Sequence, residues 1–160
     1  MTLPQFPTIS DAPLAALAFD YGTQRIGVAY GQSLTGTAQP VAVLKAIDGI
    51  PVWDEIAALI RQWQPQVFVI GMPYNMDGSD SEILPRAIKF ANRLHGRFNL
   101  PSFGIDERLS SREARTQLEE RAGAGRTGNS GPKKKAAIDA IAAQIILKNW
   151  FSEWQLRQQP

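Results

Sequence analysis

Three apolar stretches of strand length follow one another with only turns between them: residues 14–21 (LAALAFDY), 26–32 (IGVAYGQ) and 37–45, around VAVL. That order limits the fold more than any other feature. A parallel connection needs a crossover of a dozen or more residues, so strands this close in sequence pair antiparallel, as a meander. Gly22-Thr23-Gln24-Arg25 makes the first turn, and Pro40 marks the start of the third strand or a sheet edge.

After the meander the period becomes helical. Ile56, Leu59, Ile60 and Trp63 share one face of a helix over 52–63, and Pro65 stops it. VFVIG at 67–71 is a buried strand, 82–97 is a helix with Ile83, Ala87, Phe90 and Leu94 apolar, and SFGID at 102–106 is a fifth strand. Ser110 or Ser111 caps a helix over 111–121, and the four glycines of 122–132 predict a mobile loop. A long helix follows from 133 to 154, its Ala- and Ile-rich stretch 136–147 lying on the sheet. The expected class is α/β: a mixed five-stranded sheet, an antiparallel meander and then β-α-β-α-β, flanked by helices. Residues 1–13, with three prolines, form a flexible lead-in to a single domain over 14–154. A Rossmann fold is excluded, because Gly-Thr-Gln-Arg-Ile-Gly is not G-x-G-x-x-G and a strand follows it.

Composition narrows the chemistry. The chain has no cysteine, which removes disulfides, thiolate metal sites and thiol nucleophiles, and its one histidine, His95, cannot build a multi-histidine centre. No G-x-S-x-G elbow accompanies that histidine, which reads as a surface residue of its helix. No apolar run reaches membrane-spanning length and no secretory signal opens the chain, so a cytoplasmic protein without membrane contact is expected.

Carboxylates remain. Asp20 ends one apolar strand, Glu107 ends another, and Asp139 interrupts the most apolar part of the last helix. A charge in such a place is costly unless it is paired or bound to a metal. Each has an ordinary alternative: Asp20 with the Gly-Thr turn, Glu107 and Asp106 with Arg108, and Asp139 with Lys135 one helical turn away. Taken together, two strand ends and one sheet-packed helix can bring the three to one sheet edge. Oxygen-only ligands suit Mg²⁺ or Mn²⁺, and such clusters hold one or two ions for in-line attack of water on a phosphodiester. If three carboxylates meet without metal they repel, so Asp139→Asn is expected to stabilise the metal-free chain.

Four blocks then resemble the YqgF family, the group assigned to pre-16S rRNA nucleases or Holliday junction resolvases. They are Phe19-Asp20-Tyr21-Gly22-Thr23-Gln24-Arg25-Ile26-Gly27-Val28-Ala29, Gly71-Met72-Pro73-Tyr74-Asn75-Met76-Asp77-Gly78-Ser79, Asp106-Glu107-Arg108-Leu109-Ser110, and 133–143, KKKAAIDAIAA. The resemblance runs from Leu14 to Phe151 in the expected order. It implies a ribonuclease H-like fold, with Asp20, Glu107 and Asp139 as catalytic, metal-holding carboxylates. Asp106 is not the fourth acid many such nucleases use, since it faces the other side of its strand.

The basic residues fit a polyanionic substrate. From Arg121 to Lys135 there are five basic residues and no acid, just before Asp139. Arg126 and Lys133, Lys134 and Lys135 suit a backbone-grasping arm, the alternative being a solvated loop. Arg25, Asn75 and Arg108 lie in the matched blocks and are assigned to substrate contact, although the Asn75 loop equally fits an ordinary strand-to-helix connection. Arg86, Lys89, Arg93 and Arg97 form a second stripe, read as a solubilising face. Tyr21, Tyr74 and Trp53 are read as packing residues rather than base-stacking ones. The expected function is metal-dependent hydrolysis of phosphodiester bonds in structured nucleic acid, in 5′-end maturation of pre-16S rRNA. The alternatives are resolution of branched DNA and a non-catalytic nucleic-acid or ribosome-binding protein. Either a monomer or a homodimer is compatible with the sequence. An actin-like ATPase or sugar kinase shares an Asp-x-Gly-Thr turn but needs a second such domain and further phosphate motifs.

Overall fold

The computed structural model describes residues 4, 5, 7, 13–75, 77–107 and 132–158, the side chains of 132–137, 157 and 158 excepted. Its elements are β1 (Ala15–Asp20), β2 (Arg25–Gln32), β3 (Thr37–Ile47), β4 (Ile50–Pro51), α1 (Trp53–Trp63), β5 (Val67–Met72), α2 (Leu84–Phe98), β6 (Ser102–Asp106) and α3 (Pro132–Gln158). The helix expected over 111–121 and the loop over 122–131 lie outside the described residues, and Pro132 already belongs to α3.

The strand order is β4-β3-β2-β1-β5-β6. The meander pairs antiparallel, while β1 with β5 and β5 with β6 pair parallel. This is the expected mixed α/β sheet, an antiparallel meander continued by parallel strands, with six strands where five are expected. The extra strand is Ile50–Pro51, paired to Ile47 and Ala46. Asp48 and Gly49 both take positive φ, 52° and 81°, the conformation of a two-residue hairpin turn. Pro40 sits inside β3 opposite Ala29, where the register slips by one residue. β4 does not reach that part of β3, so the missing N–H faces an open edge.

Strand alternation divides the core. Leu17, Phe19, Ile26, Val28, Phe68 and Ile70 face α1 and α2, where they meet Ile56, Ala87, Phe90 and Leu94. Ala16, Ala18, Val67 and Val69 face α3, against Ile146, Leu147, Trp150 and Phe151. On this second face β1 and β2 offer only small residues, including Gly27 and Gly31, so α3 lies close to the sheet. A methyl at Gly31 would come within 2.9 Å of both Leu147 and Phe151 side chains.

Part of the lead-in is tied down. The Gly104 N–H of edge strand β6 donates to the Pro4 carbonyl (3.0 Å), and the Trp150 indole N–H donates to the Gln5 carbonyl (2.7 Å). An edge strand has unpaired backbone groups, and these contacts satisfy one of them.

Candidate active site

The site lies where β1 and β6 end, on the α3 face. Asp20 is the last residue of β1, and alternation points it away from Phe19 towards α3. Its partner across the antiparallel ladder is Gly27. A Cβ at Gly27 would lie 2.0 Å from the Asp139 carbonyl oxygen, so the bare glycine is what lets this turn of α3 cross the sheet beside Asp20. Glu107 follows β6, its N–H donating to the Met72 carbonyl (3.2 Å). Its carboxyl folds back over Gly71, where a Cβ would be 2.7 Å from Oε2. Gly71 follows Ile70, the register partner of Phe19, and so stands level with Asp20. Two glycines therefore carve the space in which acids from β1, α3 and the end of β6 come together.

The electrostatics are those of crowded acids. Burial pushes the Asp20 carboxyl from 3.8 up to about 7; its hydrogen bond with Glu107 works against this and the Asp139 charge adds to it. Glu107 is raised well above the usual carboxylate range, first by burial, then by the charge and hydrogen bond of Asp20, and last by Asp106. A hydrogen bond between two carboxyls requires a proton on one of them, so this contact belongs to a state in which the pair holds at least one proton. Among the described residues the buried Glu107 Oε2 has no hydrogen-bond partner. A buried acceptor left unmatched is costly, and a cation would match it.

Asp139 is held differently. Arg25 Nε donates to its Oδ2 at 2.7 Å, in a half-buried ion pair. Among the described residues its partner is thus Arg25, at the start of β2; Arg108 and the Lys135 side chain lie outside them. This changes the expectation for Asp139→Asn: the substitution would leave Arg25 unmatched, a loss that opposes the relief of repulsion on Asp20. Among the described residues no three acidic or histidine side chains already enclose a common point. Asp20 and Glu107 are turned to each other and Asp139 to Arg25. The donor set nevertheless fits a hard divalent ion, with three carboxylates, one unmatched oxygen and a glycine cradle around it.

A family model described as "RuvX: Holliday junction resolvase" matches residues 14–153. The chain belongs to the RuvX family. This is the group to which the YqgF-like motifs point. Among its curated relatives, a protein of Aeromonas hydrophila is 50% identical over 137 residues, covering 86% of this chain and 94% of the relative. One of Photobacterium profundum is 51% identical over 138 residues, covering 86% and 93%. Both carry the provisional name of pre-16S rRNA nuclease. Solved structures are more distant. Thermus thermophilus RuvC in complex with a Holliday junction substrate is 13% identical with a TM-score of 0.47, over 88% of this chain and 95% of that one. The fowlpox virus Holliday junction resolvase is 14% identical with a TM-score of 0.48, over 88% and 98%. At that distance the overlays add nothing to the topology already described.

The other residues assigned to this RuvX-family site from sequence fall into three groups. Arg25 is at the site, bound to Asp139. Asn75 is spent inside its loop, its Nδ2 donating to Ser79 Oγ and the Asp80 carbonyl (both 3.1 Å). Lys133, Lys134 and Lys135 lie in the first turns of α3, and Arg108 and Arg126 lie outside the described residues. Asp106 is exposed and lines a cavity on the α2 side with Met72 and Ile88, opposite Glu107. Tyr21 and Trp53 pack on Phe90 as expected, and His95 is exposed, its Nδ1 2.9 Å from the Leu100 carbonyl. The sequence reading missed Gly27 and Gly71, although a glycine inside a buried apolar strand is itself a sign of close approach.

Proposed function

We propose that this chain is a divalent-metal-dependent nuclease that hydrolyses phosphodiester bonds of structured nucleic acid, and that its substrate is precursor 16S rRNA. The observation that carries the reading is the Asp20–Glu107 pair: two buried acids facing each other, one oxygen unmatched, with Asp139 alongside. A fold gains nothing from holding like groups together in this way; a cation-binding site does. The names of the curated relatives favour RNA, whereas the family model's own description gives the branched-DNA alternative. Asp20, Glu107 and Asp139 would hold Mg²⁺ or Mn²⁺, which would supply Lewis-acid activation of the phosphodiester and of the attacking water.

The chain's own residues set the conditions. Asp20 and Glu107 would hold the ion as carboxylates, their shared proton passing to solvent. Arg25 orients Asp139 through their ion pair and stands as a neighbouring cation for substrate phosphate. Arg108, Arg126 and Lys133 to Lys135 adjoin the acids in sequence and supply backbone contacts. The test compares cleavage of a 16S rRNA precursor fragment and a DNA four-way junction in millimolar Mn²⁺, with Asp20→Asn as the control. Cleavage of the RNA by the parent and none by the variant is expected. A variant that cuts as fast as the parent removes Asp20 from the mechanism, and cleavage of the junction alone replaces the RNA substrate with branched DNA.

A further inference from the structure

The basic stripe of α2 is not one uniform surface. Arg97 is spent locally, its guanidinium 4.4 Å from the centre of the Trp53 ring. Arg86, Lys89 and Arg93 instead line a cavity of about 210 Å³, walled by Tyr21, Phe90 and the Asp48-Gly49-Ile50 turn. Arg86 is fixed there, its Nη2 donating to both the carbonyl (2.8 Å) and Oδ1 (2.7 Å) of Asp48. Asp48 is the only acid among the described residues that line the cavity. Lys89 and Arg93 have no carboxylate partner among the described residues, so the cavity keeps a positive excess. The Tyr21 phenol is raised by burial and drawn back by the charges of Arg86 and Arg93, which stand around it.

The cavity is placed beside the acids. Tyr21 directly follows Asp20, and alternation sends the two side chains to opposite faces of the same strand end. The turn that walls the cavity is anchored there too, the Gly49 N–H donating to the Thr23 carbonyl at 2.9 Å. Ile50, half exposed at 51%, gives the rim an apolar side. A concave site with unmatched cations, an apolar rim and a phenol suits a phosphate with its attached sugar.

We propose that this cavity is a second phosphate site, which takes a backbone phosphodiester of the nucleic acid at a distance from the bond to be cut. Lys89 and Arg93 supply the charge and Ile50 packs against the sugar, while Tyr21, whose hydroxyl donates to the Gly49 carbonyl at 3.2 Å, floors the cavity. The identity of the ligand rests on the nuclease reading above; the same chemistry would also accept free phosphate or a mononucleotide.

The test uses the full chain in EDTA, where no turnover occurs. Binding of a fluorescent RNA hairpin and of a DNA duplex is followed by anisotropy across a series of KCl concentrations. Each lost phosphate contact flattens the log–log salt slope by about 0.7–0.9, so Lys89→Gln with Arg93→Gln should flatten it by about 1.4–1.8. Arg97→Gln, on the same stripe but outside the cavity, should keep the parent's slope. A double variant with the parent's slope overturns the proposal, and so does an equal flattening in Arg97→Gln, which would mean diffuse charge rather than a site. Inorganic phosphate and a mononucleotide are titrated in parallel. If the double substitution abolishes their binding but leaves RNA binding unchanged, the ligand is a free anion and the proposal falls. A parent that shows the expected slopes yet never cleaves would remove the nuclease reading and leave this site standing.

Discussion

A carboxyl raised from 3.8 to about 7 keeps its proton in the folded chain at pH values where the unfolded chain has lost it. Between those limits the native state binds more protons, so this group makes stability fall as pH rises, and the loss is complete above the folded value. About three pKa units at about 1.4 kcal/mol each set a ceiling of about 4 kcal/mol, and solvent at the half-buried site lowers it to about 1–3. Asp20→Asn removes that cost. In EDTA the variant should be more stable than the parent at pH 8, less so at pH 6, and equal to it near pH 3.5; urea unfolding at the three values measures this. Asp139→Asn should act in the opposite direction, because it strands Arg25. A half-buried pair of this kind is worth about 1 kcal/mol, and the loss should be smaller at pH 8 than at pH 6, because the Asp139 charge no longer opposes ionisation of Asp20. Two acids of one site thus differ in sign, and equal effects would refute the pairing seen here. The sequence makes all three acids visible, because a charge in an apolar run stands out locally. It does not show that Arg25 is the partner of Asp139, since that contact joins residues 114 apart and leaves no local trace.

At the level of elements, the glycines decide how closely the parts approach. Gly27→Ala would put a methyl 2.0 Å from backbone oxygen of α3, and backbone cannot turn aside as a side chain can. The helix has to lift from β2, so a loss of about 2–3 kcal/mol is expected, read as a fall in melting temperature and an altered Asp20 titration. Gly71→Ala meets the Glu107 carboxyl and the Ile146 side chain, which can move. Its expected effect is smaller on stability and larger on function: Glu107 is displaced and divalent-ion binding weakens at least tenfold by calorimetry. Strand and helix positions are legible in the sequence because their apolar periods are local. VFVIG and SFGID, for example, are buried strands in both readings. The hairpin strand β4 escaped because two residues show no period, although Asp48-Gly49 is the dipeptide that such a turn favours. Close packing at Gly27 escaped because it depends on which helix returns to that face, and local pattern does not carry topology.

At the scale of the whole molecule, the sheet gathers residues from both ends of the chain and leaves them in a protonated, ion-paired resting arrangement. Asp20 and Glu107 share a proton, and binding a divalent ion requires that proton to leave. Affinity should therefore rise with pH through the range around 7 to which Asp20 is pushed, and at pH 6 binding should release at least one proton per site. Stability gives a second measure of the same exchange. Ligand bound only to the native state stabilises it in proportion to the logarithm of concentration over Kd. Millimolar Mn²⁺ should raise the melting temperature more at pH 8 than at pH 6. In metal-free buffer the order reverses, since the parent is then less stable at pH 8. Asp20→Asn should abolish the metal-dependent rise at both values while being the more stable protein without metal. Calorimetry in two buffers of different ionisation enthalpy counts the protons, and thermal melts with EDTA or Mn²⁺ give the stabilities. A parent whose response to Mn²⁺ is the same at pH 6 and pH 8, with no proton released, would mean that the shared proton is not at the metal site. The acids would then be a structural cluster, and the chemistry would have to be sought elsewhere on the sheet.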